Sequence, residues 1–280
     1  MNTAQMTVPS IRLHDGIAIP QLGFGVFQIP PEETQGVVEL ALEAGYRHFD
    51  TAAAYGNEKE VGAALAASGL GREDYFVTTK LWNSQQGHSS ALVAFEESLD
   101  RLGLDHVDLY LIHWPVPSEA QFVETWQAFE QIHGEEAART IGVSNFRIED
   151  LELLERETRT RPTINQVELH PHFQQADLRA WHGEHGIATE AWGPLAQGEL
   201  LGDETIGRLA ESREKTPAQV ILRWHLQLGN VVIPKSATPE RIRENIDIFD
   251  FELSHRELAA IGDLDRSSRV GPQPATVAAS

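Results

Sequence analysis

Apolar residues in this chain gather into short runs, separated by longer stretches in which they recur every three or four positions. The runs are QLGFGVF, YRHFD, YFVTTK, VDLYLIHW, TIGVSN, TINQVEL, IATEAWG and NVVIPK, eight in all. Their length and their bounding Gly, Pro and Asn residues predict buried strands, and the stretches between them predict amphipathic helices. Ahead of the first run, IRLHDGIAIP reads as a β-hairpin turning at Asp15-Gly16. The helices carry end signals. Ser118 opens a capping box with Gln121 before a stripe of Phe122, Trp126 and Phe129, and Thr216-Pro217 and Thr238-Pro239 each read as an N-cap followed by proline at the first helical position. Gly45, Gly69, Gly103 and Gly134 fall where helices should stop.

The strand candidates end near residues 50, 80, 113, 144, 166, 192 and 235, at intervals centred on the roughly 30 residues of a βαβ unit. Eight such units predict an α/β protein built as a (β/α)8 TIM barrel with an N-terminal β-hairpin. The expected organisation is one barrel domain over residues 1–280, with a short C-terminal tail from about residue 264. A doubly wound open sheet is the competing layout, because Gly23-Phe24-Gly25 begins like a dinucleotide fingerprint. The third glycine is missing, however, and Ile29-Pro30-Pro31 follows where a helix should already be running.

Charge narrows the partners. With 42 acidic against 22 basic residues the formal net charge is -20, which repels nucleic acid and anionic membranes, so an anionic ligand needs a local basic site. The N-terminus MNTAQMTVPS has neither a basic nor an apolar signal region, and no segment approaches a membrane span; a cytoplasmic protein is expected. Cysteine is absent, which excludes disulfides, thiolate catalysis and cysteine-based metal sites. His170 with His172, and His182 with His185, have ligand-like spacing but no evident third ligand, so no metal is expected and the helical pair reads as solvent-facing.

In a barrel the active site forms at the C-terminal strand ends, and here those ends are polar: Asp50, Lys80, His113, Ser144-Asn145, Asn165-Gln166, Trp192 and Lys235-Ser236. Tyr55 follows Asp50 on a turn, separated from it only by Thr51 and three alanines. The small side chains leave room for a ligand beside the phenol.

Three long segments resemble the signatures of the aldo-keto reductases: residues 45–62 (GYRHFDTAAAYGNEKEVG), 139–146 (RTIGVSNF) and 233–245 (IPKSATPERIREN). The similarity runs over about residues 10 to 275. GFGVFQIPP, WPVPSEAQFVETW and RVGPQPATV further resemble the bacterial members similar to 2,5-diketo-D-gluconate reductase. The resemblance implies NADPH as cofactor, a small carbonyl substrate, a monomer and a catalytic tetrad of Asp50, Tyr55, Lys80 and His113. It implies that Ser144, Asn145 and Gln166 hold the nicotinamide carboxamide, that Trp192 stacks on the ring, and that a loop with Gly193, Pro194, Leu195, Gln197 and Gly198 approaches the pyrophosphate. Lys235, Ser236, Thr238 and Arg241 would take the 2′-phosphate, and Glu244 and Asn245 would face the adenine. Phe27, Ala52, Trp82, His113 and Trp114 would line the substrate pocket. Phe27 replaces a tryptophan that many relatives carry, and Trp192 stands where many have tyrosine.

The residues support this chemistry by themselves. Hydride transfer to a carbonyl creates an alkoxide that needs a proton donor. Tyr55 would give it, Lys80 would lower the pKa of the phenol, Asp50 would hold the lysine charged, and His113 would steer the carbonyl oxygen. Thr238-Pro239 marks a helix N-terminus suited to a phosphate. Two other readings compete: an NADPH-binding sensor or structural barrel without turnover, and a Schiff-base aldolase using Lys80, which would have to be neutral to attack.

Overall fold

The structure, a computed structural model, describes residues 8–116 and 121–278. Two short strands, β1 (Ser10–Arg12) and β2 (Ala18–Pro20), pair antiparallel with Ile11 opposite Ile19. Their turn is the expected one. Gly16 adopts φ 94°, and Asp15 Oδ1 accepts the Ile17 N–H at 3.0 Å. The hairpin plugs the N-terminal end of the barrel: Leu13 and Ile19 pack with Phe76, Leu109, Leu111, Ile164 and Val231, and Asp15 accepts the Thr140 hydroxyl at 2.5 Å.

Eight parallel strands follow, namely β3 (Phe24–Gly25), β4 (His48–Asp50), β5 (Phe76–Leu81), β6 (Val107–Ile112), β7 (Ala138–Ser144), β8 (Ile164–Glu168), β9 (Ala188–Trp192) and β10 (Val231–Val232). They are hydrogen-bonded in sequence order from β3 to β10. A parallel bridge between Leu22 and Val232 joins the last strand to the first, with the Gly23 N–H donating to the Val232 carbonyl and the Val232 N–H to the Gln21 carbonyl, both at 2.9 Å. This seam closes the barrel and excludes the open sheet. It also explains Gly23 and Gly25. A Cβ on Gly23 would lie 2.5 Å from His48 Nδ1, and one on Gly25 would lie 3.3 Å from the Ile233 carbonyl. Those glycines serve close packing at the seam and not a phosphate turn.

The connecting helices form the outer layer: α1 (Pro31–Ala44), α2 (Glu58–Ala67), α3 (His88–Leu102), α4 (Phe122–Gly134), α5 (Ile148–Glu157), α6 (Ala176–His185), α7 (Glu204–Arg213), α8 (Pro217–Gln227), α9 (Pro239–Ile246) and α10 (His255–Gly262). Two helices, α7 and α8, lie between β9 and β10, which accounts for the long last interval. The capping box at Thr216 is present, its hydroxyl accepting the Gln219 N–H at 3.3 Å while Gln219 accepts the Thr216 N–H at 2.9 Å. Thr238 stands at the N-cap of α9 before Pro239, but its side chain makes no capping bond. The expected Ser118 box lies outside the described residues, and α4 starts from Gln121 with Phe122, Trp126 and Phe129 on its buried face. Gly45 and Gly103 terminate α1 and α3 in the left-handed conformation, where a side chain would be strained.

After α10 the chain returns across the C-terminal face. Glu168, buried at the end of β8, accepts the Val270 N–H at 2.5 Å, the Gly271 N–H at 3.0 Å and the Arg269 guanidinium at 3.1 Å. Near its end the Ala278 carbonyl accepts from Asn83 at 3.0 Å. The tail thus spans the mouth from β8 to the turn after β5.

Candidate active site

The barrel brings the sequence-predicted tetrad together. Lys80, fully buried on β5, sets Nζ 2.6 Å from Asp50 Oδ1, 3.0 Å from the Thr51 carbonyl and 3.4 Å from the Tyr55 hydroxyl. Parallel pairing of β4 and β5, with Asp50 opposite Thr78, places the two strand ends side by side. Tyr55 rides on the short 3-10 turn Ala53–Tyr55, ended by Gly56 at φ 67°. Asn57 anchors that turn from below, accepting from Thr51 at 3.0 Å and donating to the Val26 and Ile29 carbonyls. His113 follows β6 and meets the Tyr55 ring edge-on at 5.7 Å.

Electrostatics refine the expected roles. Burial pushes the Tyr55 phenol up; Lys80 pulls it down and Asp50 opposes Lys80, leaving it above its ordinary value. Lys80 therefore offsets the cost of burial without making Tyr55 more acidic than a free phenol, in contrast to the sequence expectation. For Lys80 itself burial pulls down, but Asp50 and Tyr55 outweigh it and the ammonium is held more firmly than in water. This opposes the neutral amine that a Schiff base requires. His113 is held neutral, well below the ordinary histidine range, by burial and by the Lys80 charge. Its Nδ1 is buried and has no hydrogen-bond partner among the described residues.

Ser144, Asn145 and Gln166 converge on the mouth beside the tetrad. Ser144 donates to the Gln166 carbonyl at 2.9 Å, and Asn145, at φ 63°, donates to the His113 carbonyl at 3.0 Å. Trp192 donates its indole N–H to Asn145 Oδ1 at 2.9 Å, so it lies beside this group. The loop beyond it is left-handed at Gly193 (φ 59°), Ala196 (φ 48°), Gln197 (φ 55°) and Gly198 (φ 96°), with Pro194 and Leu195 between. Phe27, 53% exposed, tilts over Tyr55 at 5.0 Å; Trp82 meets His113 edge-on at 5.2 Å, Trp114 stacks at 6.4 Å, and Ala52 is buried.

At the start of α9 the cations stand apart. Lys235 and Arg241 are exposed and, among the described residues, make no ion pair, so Arg241 is not tied up by its helix neighbours Glu240 and Glu244. The Ser236 hydroxyl accepts the Thr238 N–H at 3.1 Å. Glu244 is engaged by the Thr216 hydroxyl at 2.6 Å and Asn245 is buried, so neither is a freely exposed adenine contact.

The histidine pairs have other occupations. His170 Nε2 lies 3.1 Å from Glu168, and His185 stacks on Trp181 at 3.7 Å. His182 is buried between Asn165 (3.0 Å) and Thr189 (2.9 Å), contrary to the solvent-facing expectation.

Sequence reasoning missed Glu190, fully buried on β9 and 3.0 Å from Gln166 Nε2, and the Glu168 anchor of the tail. For Glu190 the available signal was an acid in the middle of the apolar run IATEAWG.

The sequence signatures imply such a tetrad at the mouth of a parallel barrel; the comparisons with known proteins bear on the family and the fold. The model of the Aldo/keto reductase family matches residues 21–266. An aldo-keto reductase of Mycobacterium sp. (strain JLS) is 55% identical, covering 97% of this chain and 98% of its own. The methylglyoxal reductase DkgA of Yersinia pestis is 51% identical over 95% and 96%. A solved structure of a Gox0644 variant in complex with NADPH superposes with a TM-score of 0.94 at 47% identity, covering 97% and 99%. The chain belongs to the aldo/keto reductase family, a family of oxidoreductases.

Proposed function

We propose that this protein reduces aldehyde or ketone carbonyls to alcohols with NADPH, and that Tyr55 is the general acid. The observation that carries the reading is Lys80 Nζ, held between Asp50 at 2.6 Å and the Tyr55 hydroxyl at 3.4 Å, with a neutral His113 facing the same phenol. NADPH supplies the hydride that reduces the carbonyl carbon. Tyr55 gives its proton to the carbonyl oxygen as negative charge builds there, and the Lys80 ammonium stabilises the phenolate left behind. Asp50 keeps that ammonium charged and aimed. His113, held neutral, donates a ring N–H to the carbonyl oxygen and turns it towards Tyr55. The aromatic side chains of Phe27, Trp82 and Trp114 beside Tyr55 and His113 form a wall that suits many carbonyl compounds.

The residues fit the cofactor. Two exposed cations without ionic partners among the described residues stand at a helix N-terminus in a chain of net charge -20, a local sign reversal that suits a phosphate. Lys235, Ser236, Thr238 and Arg241 would take the 2′-phosphate, and Ser144, Asn145 and Gln166 the carboxamide. The test is NADPH oxidation against short aldehydes, α-dicarbonyls including methylglyoxal, and keto-sugars, with Tyr55→Phe beside wild type. Loss of a general acid lowers the rate by at least ~10²-fold with cofactor affinity unchanged. Near wild-type turnover by Tyr55→Phe refutes the assignment, and NADPH binding without oxidation across the whole panel favours a non-enzymatic barrel.

A further inference from the structure

Below Asp50 and Lys80 the barrel holds a second carboxyl group. Glu190 Oε2 accepts one N–H of the Gln166 amide at 3.0 Å, and the same Nε2 donates to Asp50 Oδ2 at 2.7 Å. Both amide protons are thereby committed to carboxyl oxygens, and Gln166 Oε1 is the end of the amide left over. The groups around Glu190 come from several elements: Asp50 and His48 on β4, Tyr55 on the turn after it, Lys80 on β5, Gln166 on β8, and apolar Val231 paired with it on β10. His48 adds no charge, because burial holds it neutral at a pKa of about 3, and its Nε2 is taken by Thr78 at 3.1 Å. Glu190 Oε1 has no hydrogen-bond partner among the described residues. One ammonium therefore serves two buried carboxyl groups, and it lies directly against Asp50. Glu190 is left with a neutral amide.

We propose that Glu190 is a positioning residue: it stays protonated, clamps the Gln166 amide together with Asp50, and so presents Gln166 Oε1 to the N–H₂ of the nicotinamide carboxamide. The inference rests on the function proposed above for this site. It also explains how two acids can share a barrel interior with one lysine, since a proton on Glu190 leaves the cluster neutral. Burial and the Asp50 charge move Glu190 up to about 8. Above that pH a second negative charge would face Tyr55 and Lys80 and make the phenol a poorer proton donor.

Two variants and one spectrum test this. Infrared difference spectra of the protein without cofactor, taken against Glu190→Gln, should contain the carbonyl band of a protonated carboxylic acid at neutral pH, fading as pH rises through about 8. Finding only a carboxylate signal at neutral pH overturns the proposal. Glu190→Leu removes the acceptor and should raise the NADPH Kd about three- to tenfold, the range of one lost neutral hydrogen bond. Glu190→Gln keeps an acceptor without a titratable proton; it should restore the Kd to within about twofold and remove the alkaline decline in rate near pH 8. An unchanged Kd in Glu190→Leu, or an equal loss in both variants, overturns the clamp. If Glu190→Leu does not fold, the spectrum and Glu190→Gln still decide. Tyr55→Phe separates the two readings. If it abolishes turnover while the Glu190 variants behave like wild type, the reduction chemistry stands and only the clamp fails.

Discussion

Lys80→Met keeps most of the side-chain volume and removes one buried charge. With Nζ 3.4 Å from the Tyr55 oxygen, an ammonium stabilises a phenolate by about 5 kcal/mol at an effective dielectric constant of about 20. That corresponds to between three and four pK units. If about half of the phenolate charge has developed in the transition state, the barrier rises by about 2.5 kcal/mol, or roughly 10²-fold in kcat. A second effect must be separated from this one. The variant strands Asp50 in the barrel with the neutral Gln166 amide as its remaining side-chain partner among the described residues, and breaking a buried pair costs about 3 to 5 kcal/mol, a fall in Tm on the order of 10 °C. The double variant Asp50→Asn with Lys80→Met removes both charges and should recover most of the Tm while leaving reduction as slow as in the single variant. Single-turnover NADPH oxidation across pH, with thermal unfolding of the same samples, reads both quantities. A single variant within about fivefold of wild type with an unmoved pH profile would refute the coupling of Lys80 to Tyr55. Recovery of rate by the double variant would mean that the loss came from folding alone.

Arg241→Ala should weaken NADPH about ten- to a hundredfold, as expected for one charge-assisted contact, and barely change NADH. Fluorescence titration of both cofactors checks this, and equal losses would show that Arg241 does not read the 2′-phosphate. The C-terminal tail should release in acid. For Glu168 burial raises the pKa, but His170, the Val270 and Gly271 N–H groups and Arg269 outweigh it, leaving a net value below the ordinary 4.5. Its contribution to stability is therefore complete above about pH 4.5 and is lost as pH falls through the lower folded value, so proteolysis near residue 270 should accelerate there ahead of global unfolding. Glu168→Gln should bring that release to neutral pH. The linkage of Glu190 runs the other way. A folded pKa of about 8 against an ordinary 4.5 means that its contribution is complete below about 4.5 and is lost as pH rises to about 8. The Tm difference between Glu190→Gln and wild type should therefore shift in favour of the variant from pH 5 to about pH 9.

Much of this was legible in the chain because the signals are local. Each strand announces itself by an apolar run, Thr216-Pro217 carries its own cap, Asp15-Gly16 carries its own turn, and Asp50, Lys80 and His113 stand at strand ends whose spacing already places them on one face of a barrel, with Tyr55 on the turn that follows Asp50. The family resemblance supplied the expected roles of Ser144, Asn145, Gln166 and Arg241, which no local signal of their own gives. Tertiary structure decided what depends on neighbours far apart in the chain. The seam between Leu22 and Val232 separates a closed barrel from an open sheet, and no residue near either end encodes it alone. Burial decided charge states. Tyr55 remains above its ordinary pKa despite Lys80, His113 is neutral, and Glu190, an unremarked acid in a strand, becomes a proton-holding group because Asp50 already occupies the Lys80 ammonium. Glu168 took on its anchoring role only when the tail returned to it from about a hundred residues away. Caps, turns and periodicities act over a few residues and can be read along the chain. Desolvation and charge coupling depend on what packs around a group, and that arrangement exists only once the barrel has closed.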